Sequence, residues 1–203
     1  MPLLPLPSSG YDTAVSLHIP RASAAWGLIL QSGVTVACTV GIPLAALLRD
    51  ELGLSGEQLR PVDALLLDGM PVDEPESTVV PDGARIALAA GLPGIAGLAM
   101  KSGSAVRALR SGITHQGKEA SNPRPGTVFL SLYSLVLPLL AGHFLQRGVV
   151  VEAAQLLRYA RFAPDDHCQL GGRTLAANDL QAELSAFPPG TPFLLTAGVL
   201  CQS

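Results

Sequence analysis

The residues in this 203-residue chain with the clearest capacity for chemistry lie in its middle. Lys101-Ser102-Gly103-Ser104 runs into Ala105-Val106-Arg107-Ala108-Leu109-Arg110. A serine-capped run of helix formers leaves free backbone amides at its start, and here they would sit beside Lys101, Arg107 and Arg110. Such an arrangement takes a phosphate or a carboxylate. The spacing departs from a Walker A loop, so the expected ligand is a small anion of no particular kind. The competing reading is a capped linker helix whose arginines lie on an acidic neighbour. His115, in the polar run Thr114-His115-Gln116-Gly117-Lys118, completes the candidate set; the ordinary reading of such a residue is a solvated loop imidazole.

Asp165-Asp166-His167-Cys168 has the composition of a metal cluster. At the start of a strand, however, neighbouring side chains point to opposite faces and cannot converge on one ion. No metal site is therefore assigned. Cys38, Cys168 and Cys201 form an odd set without paired spacing, which argues against a disulfide scaffold or a zinc finger. Cys38 and Cys168 read as small buried hydrophobes, and nothing beside Cys201 would lower its pKa. The chain has no nucleophile elbow, no paired-carboxylate signature and no dinucleotide glycine fingerprint. No catalytic residue or cofactor is assigned, and an enzyme with its site in the cleft between the chain's two sequence repeats stays open as a third reading behind the non-enzymatic ones.

Positioning any of these groups falls to elements that the sequence states twice. Displaced by 115 positions, Ser16-Leu17 falls on Ser131-Leu132 and Gly27 on Gly142. Leu30-Gln31-x-Gly33-Val34 then falls on Leu145-Gln146-x-Gly148-Val149 without a gap. After small shifts Ala45-x-Leu47-Leu48-Arg49 matches Ala154-x-Leu156-Leu157-Arg158, and Asp63, Leu67 and Gly69 match Asp166, Leu170 and Gly172. Pro81-x-Gly83 and Leu88-x-Ala90-Gly91 recur as Pro188-x-Gly190 and Leu195-x-Ala197-Gly198. Four blocks in one order indicate a tandem duplication.

Within the unit, Val15, Leu17 and Ile19 alternate as a half-buried strand does, and Trp26, Leu28 and Leu30 suggest a second strand in a hairpin. Pro43 opens a helical run through Leu44, Leu47, Leu48 and Leu52, with Gly53 past its end. Ala64–Leu67 leads into an Asp68-Gly69 turn, and Pro81-Asp82-Gly83 into a last strand over 84–88. The second copy repeats the order: strand 128–133, strand 139–146, helix 152–161, strand 167–170 and strand 192–196. His18 and Tyr133 fall at equivalent positions on a sheet face.

A unit carrying Leu67-Asp68-Gly69-Met70-Pro71-Val72 and then Val80-Pro81-Asp82-Gly83-Ala84-Arg85-Ile86-Ala87-Leu88 resembles the ubiquitin-like β-grasp fold. It looks closest to the small sulfur carriers of molybdopterin and thiamine biosynthesis. The resemblance covers both repeats and implies an α+β protein of two tandem β-grasp domains. It does not bring the carriers' chemistry, which needs an exposed terminal Gly-Gly. The first copy continues past Gly91-Leu92-Pro93-Gly94, the second ends Ala197-Gly198-Val199-Leu200-Cys201-Gln202-Ser203, and Gly171-Gly172 is internal. Ferredoxin chemistry on a related fold needs four clustered cysteines, which three scattered ones cannot supply.

The expected organisation is a lead-in over 1–11, repeat one over 12–93, a basic glycine-rich insert with a short helix over 94–126, and repeat two over 127–203. The insert nets +4 while the segments before and after it net −6 and −1. Net charge overall is −3, too mild for a nucleic-acid binder. With 48% hydrophobic and 14% charged residues and a mean hydropathy of +0.39, disorder is excluded and apolar surface hidden in a homodimer or against a protein partner is expected. Three prolines and no basic residue in the first ten positions do not fit a secretory signal, so a cytoplasmic protein is expected. Residues 128–146 lack charge, but Pro138, Gly142 and His143 interrupt them, and the repeat reads them as a buried hairpin rather than a membrane span. The functional expectation is a non-enzymatic binding or adaptor protein. The alternative is a sulfur-carrier-like or cofactor-biosynthesis accessory that binds a small anion at the insert.

Overall fold

Alternating apolar residues and β-branched runs generate the strands, and short proline-, serine- or glycine-bounded runs generate the helices between them. The computed structural model describes residues 13–91, 122–162 and 167–198. It opens with β1 (Val15–Ile19), then α1 (Ala24–Gly27) continuing into a tight turn over Leu28–Gln31. β2 (Val34–Val40) leads to α2 (Leu44–Ala46), which widens into a π-type turn over Leu47–Glu51 and is followed by α3 (Gly56–Leu59). β3 (Ala64–Leu67), β4 (Met70–Pro71) and β5 (Arg85–Ala90) complete the first stretch. The second runs β6 (Arg124–Ser134), α4 (Val136–Arg147), β7 (Val149–Glu152), α5 (Ala153–Ala160), β8 (Cys168–Leu170), β9 (Arg173–Leu175), α6 (Ala177–Ser185) and β10 (Pro192–Ala197).

The chain is thus α+β, but two expected strands are helices. Ser23 caps α1 by accepting the Trp26 amide, at 3.4 Å, and two alanines follow it. Its inward residues, Trp26, Gly27, Ile29 and Leu30, have helical spacing, while Leu28 is exposed. In α4 the buried set Val136, Leu140, Ala141, Phe144 and Leu145 again follows a helical stripe. Pro138 lies in the first turn, where no amide is required. The three-residue alternation that suggested strands is a short sample of that stripe. The unit is therefore strand, helix, strand, helix and three strands, and the charge-free 128–146 stretch is the end of β6 followed by α4. No helix among the described residues is long and apolar enough to cross a membrane.

Both stretches follow this order apart from α3 in the first and α6, between β9 and β10, in the second, and several turns agree in detail. Gly33 and Gly148, which enter β2 and β7, have φ of 91° and 95°. Asp68-Gly69 and Gly171-Gly172 join β3 to β4 and β8 to β9 with both residues at positive φ, as a tight hairpin turn requires.

The ten strands among the described residues form one sheet, in the order β4-β3-β5-β6-β2-β7-β10-β1-β8-β9. The two stretches exchange their first strands. β6 lies between β5 and β2, parallel to β5 and antiparallel to β2. β1 lies between β10 and β8, parallel to β10 and antiparallel to β8. The halves meet where β2 touches β7 at the pair Thr35 and Val150. One set of alternate residues, including Leu17, Val36, Leu88, Leu130, Val149 and Leu195, joins Leu44, Phe144 and Leu156 of the helices in a continuous aliphatic core. The other set forms the opposite face.

Candidate functional site

The site residues expected from sequence, Lys101, Ser102, Gly103, Ser104, Arg107, Arg110 and His115, lie outside the described residues, as do Asp165, Asp166 and Cys201. Among those described, the Asp165–Cys168 run leaves His167 exposed and Cys168 in the core at 4% exposure, so the two sit on opposite faces. No group of three metal-ligating side chains occurs among the described residues.

What the register assembles instead is a polar row on the face opposite the core. Thr196 of β10 lies opposite His18 of β1, His18 opposite Gln169 of β8, and Gln169 opposite Thr174 of β9. Laterally paired residues share a face, so four polar side chains cross four strands in line. His18 is fixed at both nitrogens. Its Nε2 donates to the Gly198 carbonyl at 2.8 Å, which leaves Nδ1 to accept from the Thr196 hydroxyl at 3.0 Å. A cavity of about 270 Å³ lies along this row, lined by His18, Pro20, His167, Gln169, Thr174 and Gly198 among others. The Gln169 amide and the His167 ring bring hydrogen-bonding groups to it that no described residue occupies.

The two cysteine thiols among the described residues are held in their protonated form. Burial, reinforced by Glu51 and partly opposed by Arg147, pushes the Cys38 thiol up to about 12. Burial also raises Cys168. Cys38 sits where β2 has parted from β7. There a Glu51 carboxylate oxygen accepts the Thr39 amide at 2.9 Å, taking the place of a strand partner. Arg147, at the end of α4, is 9% exposed and its Nε has no partner among the described residues. Its guanidinium lies at the carbonyl end of the helix, where a cation is favoured. The arrangement secures the fork between the halves and leaves neither thiol as a nucleophile.

A second cavity, of about 380 Å³, lies at the seam of the halves, where β2 begins and β7 ends. Thr35, Phe129, Val150, Glu152 and Pro192 contribute to its lining. The Gln155 side chain, also in its wall, ties α5 to the turn before β2, its Nε2 donating to the Gly33 carbonyl at 2.6 Å and to Ser32 Oγ at 2.7 Å. Phe129 lies so close to Gly33 that a Cβ there would fall 2.1 Å from the ring.

Neither cavity was visible in the sequence. The strand alternation that puts Ser16 and His18 on one face, and Thr196 on another strand, was legible. Which strands become neighbours was not. Comparison with protein-family models, with curated proteins and with solved structures finds no match to this chain.

Proposed function

We propose that the chain is a non-enzymatic binding protein, built from two duplicated β-grasp-like units that have traded first strands, and that it recognises its ligand or partner on the sheet face opposite the core. In each half a parallel pair is flanked by antiparallel strands, with a helix following the inner flanking strand, which supports the β-grasp reading; the halves differ in that the first strand β6 lies beside β2 whereas the last strand β10 lies beside β7, with β1 beyond it. The shared element order and the matching Gly33 and Gly148 conformations support duplication. The observation that carries the functional reading is the Thr196, His18, Gln169, Thr174 row beneath its cavity. Four aligned polar side chains on a sheet stabilise nothing that four threonines would not, whereas a fixed imidazole beside an uncommitted amide forms a recognition surface.

A cavity of that size, its wall mostly apolar apart from the row's polar groups, holds a small molecule with one or two polar groups or one side chain of a protein partner. The test is titration of the ¹⁵N-labelled chain with a library of polar fragments, followed by amide shifts. Saturable shifts at His18, Gln169 and Thr174, lost in Gln169→Ala, are expected. Shifts scattered without saturation, or unchanged by the substitution, would remove the reading.

A further inference from the structure

From the seam cavity we infer a site for a small organic cation, an ammonium or guanidinium group on a short apolar body, held by the Glu152 carboxylate. The inference shares the open sheet face with the binding reading but uses different residues.

Glu152 is the residue just before α5, where a side chain ordinarily accepts the helix's first amides. It does not do so here. The Ala153 amide donates to the Thr191 carbonyl at 2.9 Å and the Ala154 amide to the Pro189 carbonyl at 3.0 Å, so the loop before β10 caps the helix. The first half has the same construction: the Leu44 and Ala45 amides donate to the Thr78 and Pro75 carbonyls, at 2.8 and 2.9 Å. There the residue before the helix is Pro43, with no side-chain oxygen at all. The first amides of α5 are thus satisfied without the Glu152 side chain, which lines the cavity.

The rest of the wall selects the ligand's body. Phe129, Val150 and Pro192 are apolar, while Thr35 and Gln155 add polar groups. Phe129 is set rigidly against Gly33, and its ring already carries the Arg85 guanidinium, 5.3 Å from the centroid. Arg85 stands on β5, three strands from β7, so it does not neutralise Glu152. A carboxylate in the wall of a mixed polar and apolar hollow, with no basic residue in its lining, discriminates in favour of a cation with a hydrocarbon body and against the matching neutral or anionic molecule.

Benzylammonium, benzyl alcohol and benzoate are suitable probes, titrated into the ¹⁵N-labelled full chain at low ionic strength. Benzylammonium is expected to shift the Thr35, Val150 and Glu152 amides saturably, with benzyl alcohol at least tenfold weaker and benzoate weaker still. Glu152→Gln, with an otherwise native spectrum, is expected to bring benzylammonium to the level of the alcohol. Equal affinity for amine and alcohol in the unaltered chain overturns the inference, and that comparison decides even if the variant fails to fold. Benzylammonium shifts confined to His18, Gln169 and Thr174 overturn it too, while leaving the binding reading standing.

Discussion

The two described thiols have a calculable effect on how the molecule responds to alkali. Cys38 titrates near 12 in the fold, against 9.0 for an ordinary thiol. The folded state holds the proton that the unfolded chain releases first. The associated stability is therefore complete below pH 9 and lost as pH rises from 9 towards 12. Urea unfolding at pH 8 and pH 10.5 should show a fall in stability that is smaller in Cys38→Ala than in the unaltered chain; an equal fall in both would exclude the thiol as the cause. Gly33 is the second sensitive residue. Alanine there meets the Phe129 ring and must adopt a φ of 91°, so Gly33→Ala should cost about 2–4 kcal/mol in denaturant unfolding. Serine at exposed Gly56, which has open space about its α-carbon, should cost well under half of that. The importance of glycine at position 33 was visible in the sequence as half of the Gly33 and Gly148 match, but the ring that enforces it belongs to a strand almost a hundred positions away.

At the level of elements, α5 and the turn before β2 are joined by one side chain, Gln155, which reaches Ile29, Ser32 and Gly33. Gln155→Ala should destabilise the protein by about 1–2 kcal/mol, read as a lower urea midpoint at unchanged slope. A larger loss with an altered slope would mean that the two halves no longer unfold together. Helices with a long apolar stripe and conventional punctuation were legible: Pro43, Leu44, Leu47 and Leu48 mark α2, and Leu156 and Leu157 mark α5. Trp26-x-Leu28-x-Leu30 was misleading because three alternate positions fit both periods. The decisive signals, Ser23 as a cap and the alanines after it, lie outside the alternating set. The strands that form the seam, β2 and β7, are runs of valine and threonine, apolar on both faces, and carry little periodicity from which to read orientation.

Over the whole molecule, the exchange of β1 and β6 makes each half dependent on the other's chain. A protease site inserted between Gly103 and Ser104 should therefore yield, after cutting, two fragments that elute together at the mass of the intact chain and part only in denaturant. Fragments that separate in buffer would be incompatible with the strand order. This feature was not legible. Alternation specifies which side of a strand faces the core, and the same apolar faces would satisfy β1 beside β2 as well as β1 beside β10. The likeness of the two stretches adds to the ambiguity, since similar units present interchangeable edges. His18 and Thr196, the centre of the candidate site, are 178 positions apart and meet only because of the exchange.

The same exchange sets a timetable for synthesis. β1 is synthesised long before its neighbours, β8 and β10. At about 5–20 residues per second, β1 waits on the order of ten seconds or more with both edges unpaired. The first half has all its strands once β6 is made, but the second cannot close until β10 follows, so until then the nascent protein carries an aliphatic strand that a chaperone or a neighbouring nascent chain can reach.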